Sequence, residues 1–279
     1  MNAVRQAPSA RSLGQLLSDR DIRILEYLER FRLLDTRLIQ RLQFPVGNTG
    51  HATSSSATRA TTRVLRRLEA HALIARVSRR IGGPSHGSSQ TIWQLAAGGE
   101  RYLRARRGDP ARRRYVTPTI GFLEHTLDVA RYAAALGEAA MDRGFDLLEL
   151  GTEPANWRSF QTAAGGQTLK PDLSVVTADS DHETHCFIEI DRGTEHMPAI
   201  LRKCRLYESY WQSGTEQAIH GLFPSVIWVT PDQTRARRIR EAIASDRQLN
   251  SQLFHAATAE SSLSVVAPYV TPSPKGGTP

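Results

Sequence analysis

Leu169-Lys170-Pro171-Asp172-Leu173-Ser174-Val175-Val176 is followed by a polar turn holding Asp179, Ser180 and Asp181. The chain then reads Cys186-Phe187-Ile188-Glu189-Ile190-Asp191-Arg192-Gly193-Thr194-Glu195, and a helical run carries Lys203 and Tyr207. β-Branched and aromatic residues on both sides of a turn predict a hairpin. In a strand alternate residues share a face, so Glu189 and Asp191 are expected on one side, and Ile188 and Ile190 on the other. Asp172 opens the neighbouring strand, so three carboxylates are expected to converge. Clustered acids repel unless a cation sits among them, and oxygen-rich clusters suit Mg²⁺ or Mn²⁺, ions that activate water and polarise phosphodiesters. The single-acid reading, a solvated hairpin, does not account for two acids spaced by two inside so apolar a segment.

Charge divides the 279-residue chain in two. Residues 1–117 hold 22 Arg and no Lys against 8 acids, a balance of +14; residues 118–279 hold 14 Lys and Arg against 20 acids, a balance of −6. A basic half beside an acidic one implies two domains, with double-stranded DNA the expected partner of the first. Cys186 and Cys204 cannot build a disulfide framework and lack zinc-ligand spacing, which points to a reducing cytoplasm. The first seventeen residues hold no apolar run of signal-peptide length, and no later segment approaches a membrane span.

In the basic half, Ser18 reads as the N-cap of a helix with Ile22, Leu25 and Leu28 on one face. Phe31, Leu33 and Leu34 close it. Asp35-Thr36 starts a second helix with Leu38, Ile39 and Leu42 inward, and Gly47 to Ser56 reads as a loop. A third helix from Ala57 displays Arg59, Thr62, Arg63, Arg66 and Arg67. Strands Leu73–Val77 and Thr91–Leu95 then flank a Gly- and Ser-rich tip bearing Arg79 and Arg80. Three helices and a two-stranded wing are the order of a winged helix-turn-helix, whose third helix enters the major groove with Arg side chains reaching guanine edges or phosphates. The seven residues from Arg59 to Arg80 just named are the candidate DNA contacts; the alternative is a merely solvated Arg face.

The acidic half opens on a helix from Phe122 to Met141, which carries Glu124 and His125 near its start. Leu147–Leu150 reads as a strand, Trp157-Arg158 as part of an irregular approach to Lys170, and Pro198–Trp211 as a helix that puts Lys203 and Tyr207 one turn apart. Ser225–Thr230 reads as a buried strand, Arg235–Ile243 as a helix and Leu263–Val266 as a last edge strand. The expected domains are a disordered lead-in (1–17), a winged helix (18–104), a basic linker (105–117), the acidic domain (118–268) and a disordered tail (269–279).

Pro171-Asp172 followed by Glu189-Ile190-Asp191 resembles the PD-(D/E)xK nuclease superfamily. The longer string Phe187 to Glu195, with Lys203 and Tyr207 downstream, is similar to the replication-relaxation family of plasmid and mobile-element proteins, over a span of about Leu17 to Thr230. The resemblance implies an α/β (α+β overall) chain: a winged helix-turn-helix followed by a restriction-endonuclease-like domain with a mixed central sheet flanked by helices. It implies catalytic residues Asp172, Glu189, Asp191 and Lys203, metal ligands Asp172, Glu189 and Asp191 for Mg²⁺ or Mn²⁺, and Tyr207, Glu124 and His125 in accessory places. One departure stands out: the nuclease pattern has Lys two residues after the acid, where this chain has Asp191, so Lys203 is the candidate ammonium from a displaced position. Two functional readings follow. One is a metal-dependent DNA endonuclease of plasmid replication, relaxation or mobilisation; the other is an inactive nuclease fold that dimerises or recruits replication or mobilisation proteins as a DNA-binding accessory or regulator. No Gly-rich phosphate loop and no Ser-His-Asp arrangement supports a small-molecule enzyme.

Overall fold

Ser18 sets the first described helix. Its hydroxyl oxygen accepts from the Asp21 N–H at 3.3 Å while its own N–H donates to the Asp21 carboxylate at 2.8 Å, a reciprocal cap that starts α1 (Asp19–Phe31). The computed structural model describes residues 16–47, 50–77, 91–109, 120–163 and 165–268. Arg79, Arg80, most of the expected linker, and nearly all of the expected lead-in and tail lie outside the described residues. The chain divides into two compact units, Met1–Ala134 and Ala135–Pro279.

In the first unit α1 buries Ile24, Leu25, Leu28 and Phe31; Ile22, expected inward, is only half-buried. Leu33–Asp35 forms a short strand, β1, where a helix end was expected. Asp35 then caps α2 (Thr36–Gln43) by accepting from the Leu38 N–H at 2.8 Å. Helix α3 (Ser54–Ala70) starts on the Thr53 cap, three residues before the expected Ala57. Strands β2 (Ile74–Arg76) and β3 (Ile92–Leu95) complete an antiparallel sheet in the order β1-β3-β2, and α4 (Ala97–Arg107) follows. The long helix α5 (Ile120–Arg143) crosses the division between the units. Its Arg131 reaches the buried Asp35 carboxylate at 3.1 Å, which binds the leading part of α5 to the first unit.

In the second unit the strands are β4 (Asp146–Thr152), β5 (Arg158–Thr162), β6 (Gly165–Leu169), β7 (Leu173–Ala178) and β8 (Glu183–Ile190). Helices α6 (Met197–Gln212) and α7 (Thr215–His220) follow, then β9 (Ser225–Thr230), α8 (Gln233–Ser245), β10 (Phe254–Thr258) and α9 (Ala259–Val266). The main sheet is mixed, in the order β10-β9-β8-β7-β4, and helices flank it. β7 and β8 form the expected antiparallel hairpin, from Leu173 opposite Ile188 to Ala178 opposite Glu183, whereas β8, β9 and β10 run parallel and are joined through helices.

Two segments of this unit differ from expectation. Trp157-Arg158 leads not into irregular chain but into the antiparallel hairpin β5–β6. Leu263–Val266 is the end of helix α9, capped by Thr258, and the outer strand is β10 instead. The Val265-Val266 pair looks strand-like in isolation, yet Ser262 and Val266 are buried one helical turn apart. One core layer lies between sheet and helices. Phe187, Val226, Trp228, Phe254 and Ala256 face Ile200, Cys204, Tyr207 and Tyr210 of α6 and Ala236, Ile239 and Ile243 of α8, with Phe160 and Leu169 of the small hairpin joining them. Among the described residues no helix is long and apolar enough to cross a membrane.

Candidate functional site

Alternation along β8 puts Glu189 on the face of Phe187, inside that core layer, so its carboxylate is only 2% exposed. A buried carboxylate must be paired. Helix α6 supplies both partners from one face: the Lys203 ammonium donates to one Glu189 oxygen, and the Tyr207 hydroxyl donates to the other at 2.5 Å. Spacing of four residues on a helix is what lets the two meet a single carboxylate.

Asp172 is half-buried at the mouth of the hairpin. Its N–H donates to the Ile188 carbonyl at 3.1 Å and its carboxylate accepts from the Ile190 N–H at 2.7 Å, so it is bound to β8 on both sides of Glu189. Burial pushes the Glu189 carboxyl up to about 8; the Lys203 charge opposes that shift and the neighbouring Asp172 charge adds to it. Burial alone lowers the Lys203 ammonium, but Glu189 and Asp172 more than reverse this and hold it above its ordinary range. Burial and Glu189 likewise push the Tyr207 phenol well up. All three groups therefore keep their protons to higher pH than free side chains do.

Asp191 goes elsewhere. The strand ends at Ile190, and the Asp191 carboxylate is gripped by the Arg235 fork at 2.7 and 3.2 Å and by the Gly193 N–H at 3.1 Å. Arg235 also donates to the Glu195 carbonyl at 2.6 Å, so Asp191 and Arg235 together pin the loop between β8 and α6. Gly193 turns that loop at φ +76°, with Pro231 beside it. The expected convergence of three carboxylates is thus reduced to the pair Asp172 and Glu189. Among the described residues no three acid, His or Cys side chains form a group that could hold a metal.

Glu124 and His125 stand on the first turns of α5, in the first unit. On α3, Arg59, Thr62, Arg63 and Arg66 line, with Thr58, an open groove of about 370 Å³. The three arginines are exposed and make no ion pair among the described residues. Arg67, expected beside them, is committed internally, since its guanidinium meets both oxygens of buried Asp21 at 2.5 and 2.6 Å and ties α3 to the cap of α1.

Sequence reasoning missed two contributors. Arg235 was legible only as one of several basic residues on a helix. Asn156, 1% exposed, donates to the Pro171 carbonyl at 2.8 Å and so holds the residue before Asp172; nothing in its neighbourhood signals this.

A family model described as replication-relaxation matches residues 25–226. That span includes the α3 groove, the Asp172–Glu189 pair, Lys203 and Tyr207, and stops short of Arg235. No curated protein and no solved structure matches the chain.

Proposed function

We propose, because the chain belongs to the replication-relaxation family, that it serves plasmid or mobile-element replication or DNA relaxation by binding duplex DNA and cutting one strand of it. In this reading the first unit is a winged helix-turn-helix and the second a PD-(D/E)xK-like nuclease. The observation that carries it is the delivery of Lys203 from α6 onto the Glu189 carboxylate beside Asp172, which supplies the ammonium that Asp191 cannot.

The donor set fits a hard divalent cation: two neighbouring carboxylates suffice for Mg²⁺ or Mn²⁺ when water and phosphate complete the shell. Asp172 and Glu189 would hold it, and bound there it supplies an activated water and charge neutralisation. Lys203, freed from its contact with Glu189, stabilises charge building on a phosphate oxygen. Tyr207 keeps Glu189 oriented, and Asp191 with Arg235 fixes the loop that leads into α6. Exposed Arg59, Arg63 and Arg66 with Thr62 are suited to phosphates or guanine edges of a groove.

A second reading has its own support. Lys203 and Tyr207 already satisfy Glu189, and Arg235 satisfies Asp191, so the site is stable as it stands and suits an inactive DNA-binding accessory or regulator. Supercoiled plasmid incubated with the purified protein and Mn²⁺ separates the two. Nicking that disappears in Asp172→Asn and Lys203→Met supports the nuclease; duplex binding without nicking, lost in Arg63→Ala, supports the accessory. Failure to bind duplex removes both.

A further inference from the structure

The hairpin β5–β6 plays no part in the reading above, although it lies next to Asp172 in the chain and is bound to the same segment. Its inner side is anchored: Phe160 and Leu169 are buried in the core, and the Phe160 ring lies 5.0 Å from that of Tyr210. Its outer side carries Ser159, Gln161 and Thr168, all exposed, with the Ser159 and Thr168 hydroxyls 3.3 Å apart across the strands. Between Trp157 and Lys170 there is no acid, in a unit where 18 acids face 13 Lys and Arg. Arg158 turns inward, to Glu216 at 3.1 Å and over the Phe187 ring.

Lys170 does the opposite. It is exposed, makes no ion pair among the described residues, and holds its ammonium 4.1 Å from the centroid of Trp157, itself 38% exposed. Stacking on an indole fixes a charge that would otherwise sweep freely. The bond from Asn156 to the Pro171 carbonyl ties residues 156–157 to 170–171, so this ammonium stands on the same fastened segment as the Asp172 carboxylate.

We propose that the outer side of β5–β6, with Lys170 held on Trp157, is a contact surface for the DNA phosphate backbone beside Asp172; this rests on the nuclease-like reading of the Asp172–Glu189 pair. Ser, Thr and Gln side chains with a Lys are the groups that meet phosphates without reading sequence. An acid-free stretch in an otherwise acidic unit is where a polyanion meets less repulsion. A protein partner of comparable footprint would ask for an apolar centre, whereas the Trp157 ring on this surface lies under the Lys170 ammonium and the side chains beside it are polar.

The test uses the full chain and a fluorescent duplex, with anisotropy followed over a salt series. Lys170→Gln is expected to shallow the slope of log K against log salt by about 1, as for one lost phosphate contact, and Gln161→Glu to weaken binding about threefold at low salt. Both side chains are exposed, so unchanged thermal unfolding is expected alongside. Wild-type slopes and affinities in both variants, with Arg63→Ala weakened, overturn the hairpin surface and leave the first unit's DNA binding standing. Weakening by Lys170→Gln and Gln161→Glu but not by Arg63→Ala keeps the hairpin and removes the α3 groove. A wild-type chain that binds no duplex overturns both.

Discussion

Replacing Lys203 by Met removes the charge facing buried Glu189 while keeping most of the side chain's length, and the resulting loss of stability should depend strongly on pH. Glu189 has a folded value of about 8 against an ordinary 4.5. A carboxyl that binds its proton more tightly when folded takes one up on folding between those values, so stability falls as pH rises from 4.5 to about 8 and is level above. Below pH 7 Glu189 is protonated with or without Lys203, and the substitution should cost only about 1 kcal/mol, for a lost hydrogen bond. Above pH 8 the two proteins part. Wild-type Glu189 ionises against an ammonium that stays charged, whereas in Lys203→Met the carboxyl must either ionise unpaired or keep its proton. Each pH unit then adds about 1.4 kcal/mol, so the deficit should reach about 3 to 4 kcal/mol at pH 10. Urea unfolding followed by tryptophan fluorescence measures this, since Trp157, Trp211 and Trp228, three of the four tryptophans, lie in the second unit. In a Glu189→Gln background the pH dependence should vanish. A deficit equal at pH 6.5 and pH 10 would refute the coupling between Lys203 and a buried, proton-retaining Glu189.

Other substitutions separate structural from functional roles. Arg67→Ala should destabilise the protein by about 2 kcal/mol in chemical denaturation, because it strips the charged donor from buried Asp21. Arg63→Ala should move stability by no more than about 0.5 kcal/mol while weakening duplex binding in a gel-shift titration. Tyr207→Phe leaves one Glu189 oxygen without its donor and should cost about 1 to 3 kcal/mol in the same unfolding experiment. Asp191→Asn should lower the thermal midpoint by loosening the Arg235 clamp yet leave Mn²⁺ affinity, measured by calorimetry, within about twofold of wild type, whereas loss of a direct ligand costs 10-fold or more.

What could be read from the chain alone was local. Ser18 with Asp21, and Asp35 before Leu38, announce helix starts because cap and capped group are three residues apart. The β7–β8 hairpin was equally legible, since apolar runs bracket an Asp-rich turn whose Asp179 carboxylate accepts from the Asp181 and His182 N–H groups. Lys203 and Tyr207 were placed together because helical period fixes which residues share a face.

Tertiary partnerships were hidden. Arg67 looked like one more arginine on a basic face until Asp21, 46 residues away, claimed it, and Asp191 looked like a third metal ligand until Arg235, 44 residues away, did the same. Alternation assigned Glu189 and Asp191 to one face correctly only while the strand lasted; β8 ends between them. Strand β10, Phe254 to Thr258, has two alanines and little alternation of its own, and its conformation comes from parallel pairing with β9. Hairpin β5–β6 turns at Gly165, which at φ +116° accommodates a backbone that other residues resist, and its polar outer row resembles loop.

The central claim is that Asp172 and Glu189 form a divalent-cation site with Lys203 as its mobile counter-charge. Anomalous diffraction from crystals grown with Mn²⁺ tests it most directly. A peak shared by the Asp172 and Glu189 carboxylates, with the Lys203 ammonium withdrawn from Glu189 and Asp191 still in the Arg235 fork, is the predicted result. Full Mn²⁺ exposure with no peak there, and Lys203 still on Glu189, would contradict it.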